Sequence, residues 1–195
     1  MSKMRRMSGC AWLTAVLGIF TISDRAAVAF DDGIWRCPNS GSFQDPIKWR
    51  SVFHQPCDLT QMLVPNNNIH FREAGTYTVS FSADTTCWTA SVNNDNGNLT
   101  FDLGGNTVTF SVQGAIGFGI TENATLTVSN GTLRRTNNSS IGVGNAPTSG
   151  GSLHVNSDAV VEIGGSLVIG GGGSNGTVKV RDGGSLSCGG ALTVS

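Results

Sequence analysis

Three acidic residues of the C-terminal third are the side chains whose type could support catalysis, as paired carboxylates that cleave a glycosidic bond. The candidates are Asp158, Glu162 and Asp182, and such a pair must lie roughly 5 to 10 Å apart. Asp158 and Asp182 fall at positions typical of turns, where Asp caps a bend. Glu162 stands alone between two apolar residues. We therefore predict no catalytic residue and a protein that is not an enzyme.

Other residues could bind a metal ion or a glycan. No complete set of ligands accompanies His54, His70 or His154 at the spacing of a zinc motif, so we predict neither a metal site nor a cofactor.

A glycan contact has two candidate sets of residues. Arg134 and Arg135 form a basic pair that could contact an acidic glycan, or lie solvated in a turn. Trp35 and Trp49, with Trp88, could stack on sugar rings, or fill the core of a small cap.

The elements that position these residues are strands. Residues 77–81, 99–103 and 108–112 alternate apolar with polar side chains, and Asn, Gly and Asp separate them. No stretch after the first thirty residues has the apolar period of a helix. The fold class is all-β.

The C-terminal part of the chain is a repeat. Segments 124–150, 151–175 and 176–195 each contain three short strands and three turns, which predicts coils of a right-handed parallel β-helix. Side chains two apart face the axis, so the predicted repeat core is Leu126, Val128, Leu153, Val155, Leu167, Ile169, Val178, Val180, Leu192 and Val194. A flexible linker is the alternative for the glycines at 170–173.

Extrapolation of the repeat towards the N-terminus places the β-helix at 69–195, with phenylalanines that indicate a broader core near its start. Residues 30–68 are rich in proline and contain Trp35 and Trp49, which predicts an irregular N-terminal cap.

Residues 1–29 predict a signal peptide, because basic residues precede an apolar run and an Ala-Val-Ala cleavage site. Removing this segment takes four basic and one acidic residue from the chain's 12 and 13, leaving a net charge of −4, which does not indicate nucleic-acid binding. Four cysteines remain in an oxidising compartment. We favour a Cys37–Cys57 disulfide, with four thiols as the alternative.

The stretches "GSLVIGGGGSNGTVKVRDGGSLS" and "GIWRCPNSGSFQDPIKW" resemble autotransporter passenger domains and related secreted bacterial β-helical proteins. The resemblance covers most of the chain after residue 29 and implies a surface or secreted location.

These observations predict an exported, non-enzymatic β-solenoid of a surface layer or matrix, with a structural or adhesive role. Glycans or surface proteins are the expected partners. The alternative is a carbohydrate-active β-helix enzyme or a polysaccharide-binding module. The strand at 192–194 leaves an open edge, so either the natural chain continues, the gene is truncated, or the edge self-associates.

Overall fold

The structure is a computed structural model of the 195-residue chain. It describes residues 33–35, 39–51, 68–111, 118–136, 138, 140–146, 149–156, 158–171, 173–181 and 183–195. The predicted signal peptide, the Cys37–Cys57 pair, His54 and Asp182 lie outside these residues.

Strands dominate the described part of the chain. A leading segment contains β1 (Gly33–Trp35), β2 (Gly41–Ser42), a 3₁₀ turn (Pro46–Lys48), β3 (Trp49–Ser51) and β4 (Asn68–Phe71). Five coils of three strands follow. They are β5 (Thr76–Ser80), β6 (Thr85–Cys87) and β7 (Thr89–Val92); β8 (Asn98–Asp102), β9 (Thr107–Phe110) and β10 (Phe118–Ile120); β11 (Ala124–Ser129), β12 (Thr132–Arg135) and β13 (Ile141–Val143); β14 (Gly151–Val155), β15 (Val160–Ile163) and β16 (Leu167–Ile169); and β17 (Gly176–Val180), β18 (Ser185–Cys188) and β19 (Leu192–Val194).

Equivalent strands of successive coils stack into three sheets. Sheet 1 has the order β2-β5-β8-β11-β14-β17, sheet 2 has β6-β9-β12-β15-β18, and sheet 3 has β3-β1-β4-β7-β10-β13-β16-β19. Every pairing between coils is parallel, whereas β1 and β3 pair antiparallel. The predicted parallel β-helix is confirmed, as a solenoid of about five turns.

The register places equivalent residues of the repeats directly beside one another. Leu126 pairs with Leu153, and Leu153 pairs with Val178. The strands of sheets 2 and 3 continue without a shift in the same way. Because side chains alternate along a strand, this register gathers the apolar residues on the axis and leaves the polar residues outside.

The interior is mainly apolar through the first four coils, and Arg135 of the third coil is a buried charged side chain within it. Buried Leu, Val, Ile and Phe side chains of all three sheets form one continuous cluster. Each fully buried side chain of this size contributes roughly 1.5–3 kcal/mol relative to an exposed one. Stacking therefore stabilises a fold whose strands are too short to be stable alone.

The core is aromatic where the solenoid begins. The rings of Trp35 and Trp49 meet edge to face with centroids 5.1 Å apart, and Phe43 contacts Trp49 at 4.8 Å. Phe71 then links this group to Phe101 of the second coil at 5.1 Å. The indole of Trp49 donates a hydrogen bond of 2.8 Å to the carbonyl of Phe43. The broad aromatic core predicted near the start is present.

Corners between sheets require unusual backbone. Asn130 and Asp158 have φ of 56° and 57°, in the left-handed region, at two of the predicted turns. Gly170 and Gly171 also lie at a corner, where Gly171 bridges to Ser174 before β17 begins. The described part of this stretch is therefore a turn between sheets 3 and 1.

Candidate functional site

Glu162 lies on the outer face of sheet 2, beside Arg134 on the neighbouring strand. The Arg134 Nε donates to the Glu162 Oε2 at 2.6 Å, and both side chains are more than two-fifths exposed. Asp158 lies exposed in the turn before β15. The structure thus brings Glu162 together with a guanidinium.

Arg135 does not lie where a glycan contact requires it. Its side chain is 1% exposed and points into the core, and its Nη1 donates to the carbonyl of Trp88 at 3.0 Å. Burial lowers the pKa of its guanidinium. The expectation of a basic pair at the surface is corrected here, because strand alternation sends neighbouring side chains to opposite faces. Arg134 alone is outside.

The tryptophans are divided in a similar way. Trp35 and Trp49 are fully buried, and they belong to the same core cluster as the side chains of the coils. Trp88 is 49% exposed at the corner between β6 and β7. A sugar ring could therefore stack on Trp88, whereas Trp35 and Trp49 present no surface to it.

Two histidines lie on different faces. His70 is half-buried on sheet 3, with its Nδ1 2.7 Å from the hydroxyl of Ser91 on the adjacent strand. His154 lies on the outer face of sheet 1, between the inward Leu153 and Val155. Its pKa is lowered, first by partial burial and then by the positive charges of Lys179 and Arg181.

The outer face of sheet 1 carries three ladders of polar side chains, which we call the hydroxyl face. The first ladder is Thr76, Asn98, Thr125, Ser152 and Thr177; the second is Thr78, Thr100, Thr127, His154 and Lys179; the third begins Ser80, Asp102 and Ser129, and Asn156 and Arg181 follow the strand ends in line with it. Successive members lie about 4.8 Å apart, because this is the spacing of neighbouring strands.

Side chains of the ladders also bond to one another and to the backbone. The Asn98 amide donates to the Thr76 hydroxyl at 3.4 Å, and the Asn130 amide donates to Asp102 at 3.0 Å. The hydroxyl of Ser129 donates to the carbonyl of Phe101 at 3.3 Å. These bonds hold part of the face in a fixed arrangement.

Sequence reasoning overlooked the cations of the hydroxyl face. Lys179 and Arg181 are both exposed on its last coil, beside His154 of the coil before. The signal was present in the sequence "GTVKVR", in which the basic residues Lys179 and Arg181 alternate with valines. It becomes a cluster only when the coils are stacked.

The predicted repeat core is buried in the coils that have neighbours on both sides. Leu126, Val128, Leu153, Val155 and Leu167 are buried, whereas Ile169 and Val178 are partly buried against the core. In the last coil Val180, Leu192 and Val194 are 46%, 59% and 70% exposed, because no further coil covers them. Self-association at this edge stays a prediction, which sizing the chain in solution tests.

No family profile, no curated protein and no solved structure matches this chain. Among the described residues, no group of three or more His, Cys, Asp and Glu side chains is placed to hold a metal ion. The described part of the chain also contains no apolar helix of membrane-spanning length.

Proposed function

We propose that this chain is an exported, non-enzymatic β-solenoid that acts as a structural or adhesive component of a surface layer or matrix. The observation that carries the proposal is the hydroxyl face, a flat array of Thr, Ser and Asn side chains repeated on every coil. A rigid rod with such a face makes many weak hydrogen bonds to a glycan or to a neighbouring protein. Affinity then grows with the number of coils engaged.

Export rests on the N-terminal sequence, which has the basic start, apolar run and Ala27-Val28-Ala29 end of a signal peptide. The resemblance to autotransporter passengers and secreted β-helical proteins agrees with this location. Expression of the full chain in a bacterium with a secretion pathway tests it. We expect the mature protein outside the cytoplasm and its N-terminus at Phe30. A cytoplasmic product that retains Met1 would contradict export.

The alternative function, a carbohydrate-active enzyme, has one observation in its favour. Arg134 and Glu162 are outward neighbours on adjacent strands of sheet 2, and a carboxylate beside a guanidinium is a pair that could act on a polysaccharide. Glu162, however, forms an ion pair with Arg134. Among the described residues, no hydrogen bond joins Glu162 to a second carboxyl group. A structural ion pair accounts for this geometry, so we place catalysis second.

Turnover assays separate the two functions. The mature chain is incubated with neutral and acidic polysaccharides, and new reducing ends and unsaturated products are measured. We expect neither product, together with retention of the protein on at least one insoluble polysaccharide or surface preparation. Product formation that disappears in Glu162→Ala and persists in Asp158→Ala would overturn the non-enzymatic proposal. Asp158 is a suitable control because it is an exposed acid in a nearby turn.

A further inference from the structure

The hydroxyl face ends in a group of three basic side chains, His154, Lys179 and Arg181, which we call the basic end. Lys179 pairs in register with His154 on the neighbouring strand, and Arg181 follows Lys179 by two residues on the same face. Strand geometry places neighbours across the sheet about 4.8 Å apart and residues i and i+2 about 7 Å apart. All three therefore lie within about one Debye length, roughly 8 Å at physiological salt. The charges of Lys179 and Arg181 act together on an approaching anion, and His154 beside them can donate a hydrogen bond.

The charges of the basic end are available to a ligand. Within the described residues, neither Lys179 nor Arg181 has a carboxylate at ion-pair distance, and both side chains are exposed. The lowered pKa of His154 agrees with this picture, because Lys179 and Arg181 contribute to it after partial burial. By contrast, the exposed Arg134 on sheet 2 already binds Glu162.

Among the described residues, no acidic group near this face forms an ion pair with the basic end. Asp102 is three coils before Arg181 in the third ladder, at a distance of about 14 Å by strand spacing. Its carboxylate accepts hydrogen bonds from Asn130 and from the backbone of Gly104. Asp158 lies in the turn between β14 and β15. Its carboxylate forms no ion pair with Arg181. Among the described residues, the face thus carries little charge along most of its length and is positive at its last coil, through Lys179 and Arg181.

We propose that the basic end, together with the adjoining hydroxyl ladders, binds an acidic polysaccharide. The cations would contact carboxylate or sulfate groups, and the ladder residues Thr127, Ser152 and Thr177 would exchange hydrogen bonds with sugar hydroxyls. An extended polymer suits ladders that run across successive coils, because it contacts several coils at once. This inference rests on the proposed function and assigns it a surface and a class of ligand.

Binding of fluorescent polygalacturonate to the mature chain tests the proposal, with dextran sulfate as a second polyanion and dextran as the neutral probe. We expect Lys179→Gln/Arg181→Gln to weaken polyanion binding at least about fivefold, since each exposed charge pair is worth a few tenths to one kilocalorie. The matched control is Lys48→Gln/Arg72→Gln, which likewise removes one lysine and one arginine charge, but from the leading segment and the loop that follows it. We expect less than a twofold change there. Raising the salt concentration should weaken the wild-type complex.

All substituted side chains are exposed or partly exposed, so unchanged thermal unfolding verifies that each variant folds. Equal losses in the two double variants would overturn the proposal, because net charge alone would then explain binding. Equal affinity for dextran and polygalacturonate would also overturn it. If a neutral polysaccharide binds and no polyanion does, the basic end is not a site, yet the structural function stands. Cleavage of any polymer would instead count against the proposed function.

Discussion

The first and last coils of this solenoid have the same three strands and the same register, yet their interiors differ. At the start, Phe71, Phe81 and Phe101 interlock with the tryptophans of the leading segment and are all buried. In the last coil the equivalent inward positions hold Val, Leu and Cys. Some of these side chains pack partly against the core, whereas Val180, Leu192 and Val194 are 46%, 59% and 70% exposed. Burial in a solenoid is therefore a property of a coil's neighbours as much as of its own sequence.

A single inward column of sheet 2 sharpens this comparison, because it has a cysteine at each end. Its members in register are Cys87, Phe110, Arg135, Ile163 and Cys188. Cys87 is fully buried, and burial raises the pKa of its thiol to about 12, whereas Cys188 is half-buried. Thiolate formation and access both disfavour reaction at Cys87.

We therefore expect iodoacetamide to label Cys188 in the native protein and to label Cys87 at least about a thousandfold more slowly. A buried core thiol reacts only after the structure opens, which costs several kilocalories in a stable domain. Peptide mapping after timed labelling measures both rates. Denatured protein is the control, in which the two rates should converge. Comparable native rates would show that the early core is open.

Truncation of an inward side chain should lower the free energy of unfolding by much more in the early coils than in the last coil. Phe101→Ala removes a buried ring that contacts Phe71 and Phe81, so we expect a loss of about 3–5 kcal/mol in the free energy of unfolding. Val180 lies in the equivalent column of the last coil, and its side chain is 46% exposed. Val180→Ala should therefore lower the free energy of unfolding by less than about 1 kcal/mol. Denaturant unfolding measures both. Similar losses would mean that the last coil is covered in solution.

Two glycines differ in the space available for a side chain, and we expect their substitution by alanine to have different effects on stability. A Cβ at Gly151 would meet the backbone oxygen of Ile120, so Gly151→Ala should destabilise the protein by about 1–3 kcal/mol. Gly119 lies in β10 with no atom within 4 Å of such a Cβ, so Gly119→Ala should be neutral or stabilising by up to about 1 kcal/mol. Thermal unfolding of the two variants decides. A stable Gly151→Ala protein would contradict the close packing at this corner.

The smallest expected effect is the pH dependence at His154. Because its pKa is lowered in the folded state, the unfolded chain binds the proton more tightly, and stability declines as pH falls through the ordinary histidine value near 6.5. Above that range the group is neutral in both states and contributes nothing. We expect the midpoint of thermal unfolding to fall slightly less between pH 7.5 and 5.5 in His154→Thr than in wild type. An identical decline in both proteins would exclude this linkage.

Much of the fold followed from local chemistry. Alternation of Leu and Val with polar residues in β11, β14 and β17 assigned inward and outward faces, and Asn130 and Asp158 marked turns because their side chains tolerate left-handed backbone. The phenylalanines of the early strands indicated the broad core. All of these signals depend on one strand or one turn, so a single sequence displays them.

The candidate site could be predicted only in part. Alternation sends Lys179 outward, and the predicted repeats align it with His154, twenty-five residues earlier, but only the structure shows that Lys179 has no carboxylate at ion-pair distance among the described residues. The prediction of a basic pair at Arg134 and Arg135 was wrong, because neighbouring side chains of a strand point to opposite faces of the sheet.

By itself, then, the sequence determined the all-β class, the repeat, and the inward and outward faces of its most regular strands, because these depend on backbone preference and period. Tertiary structure decided that Arg135 is buried while Arg134 meets Glu162, and that several inward side chains of the last coil are more exposed than their equivalents in earlier coils. These outcomes depend on the register between coils. Contacts along the whole stack set this register, so a single repeat does not reveal it.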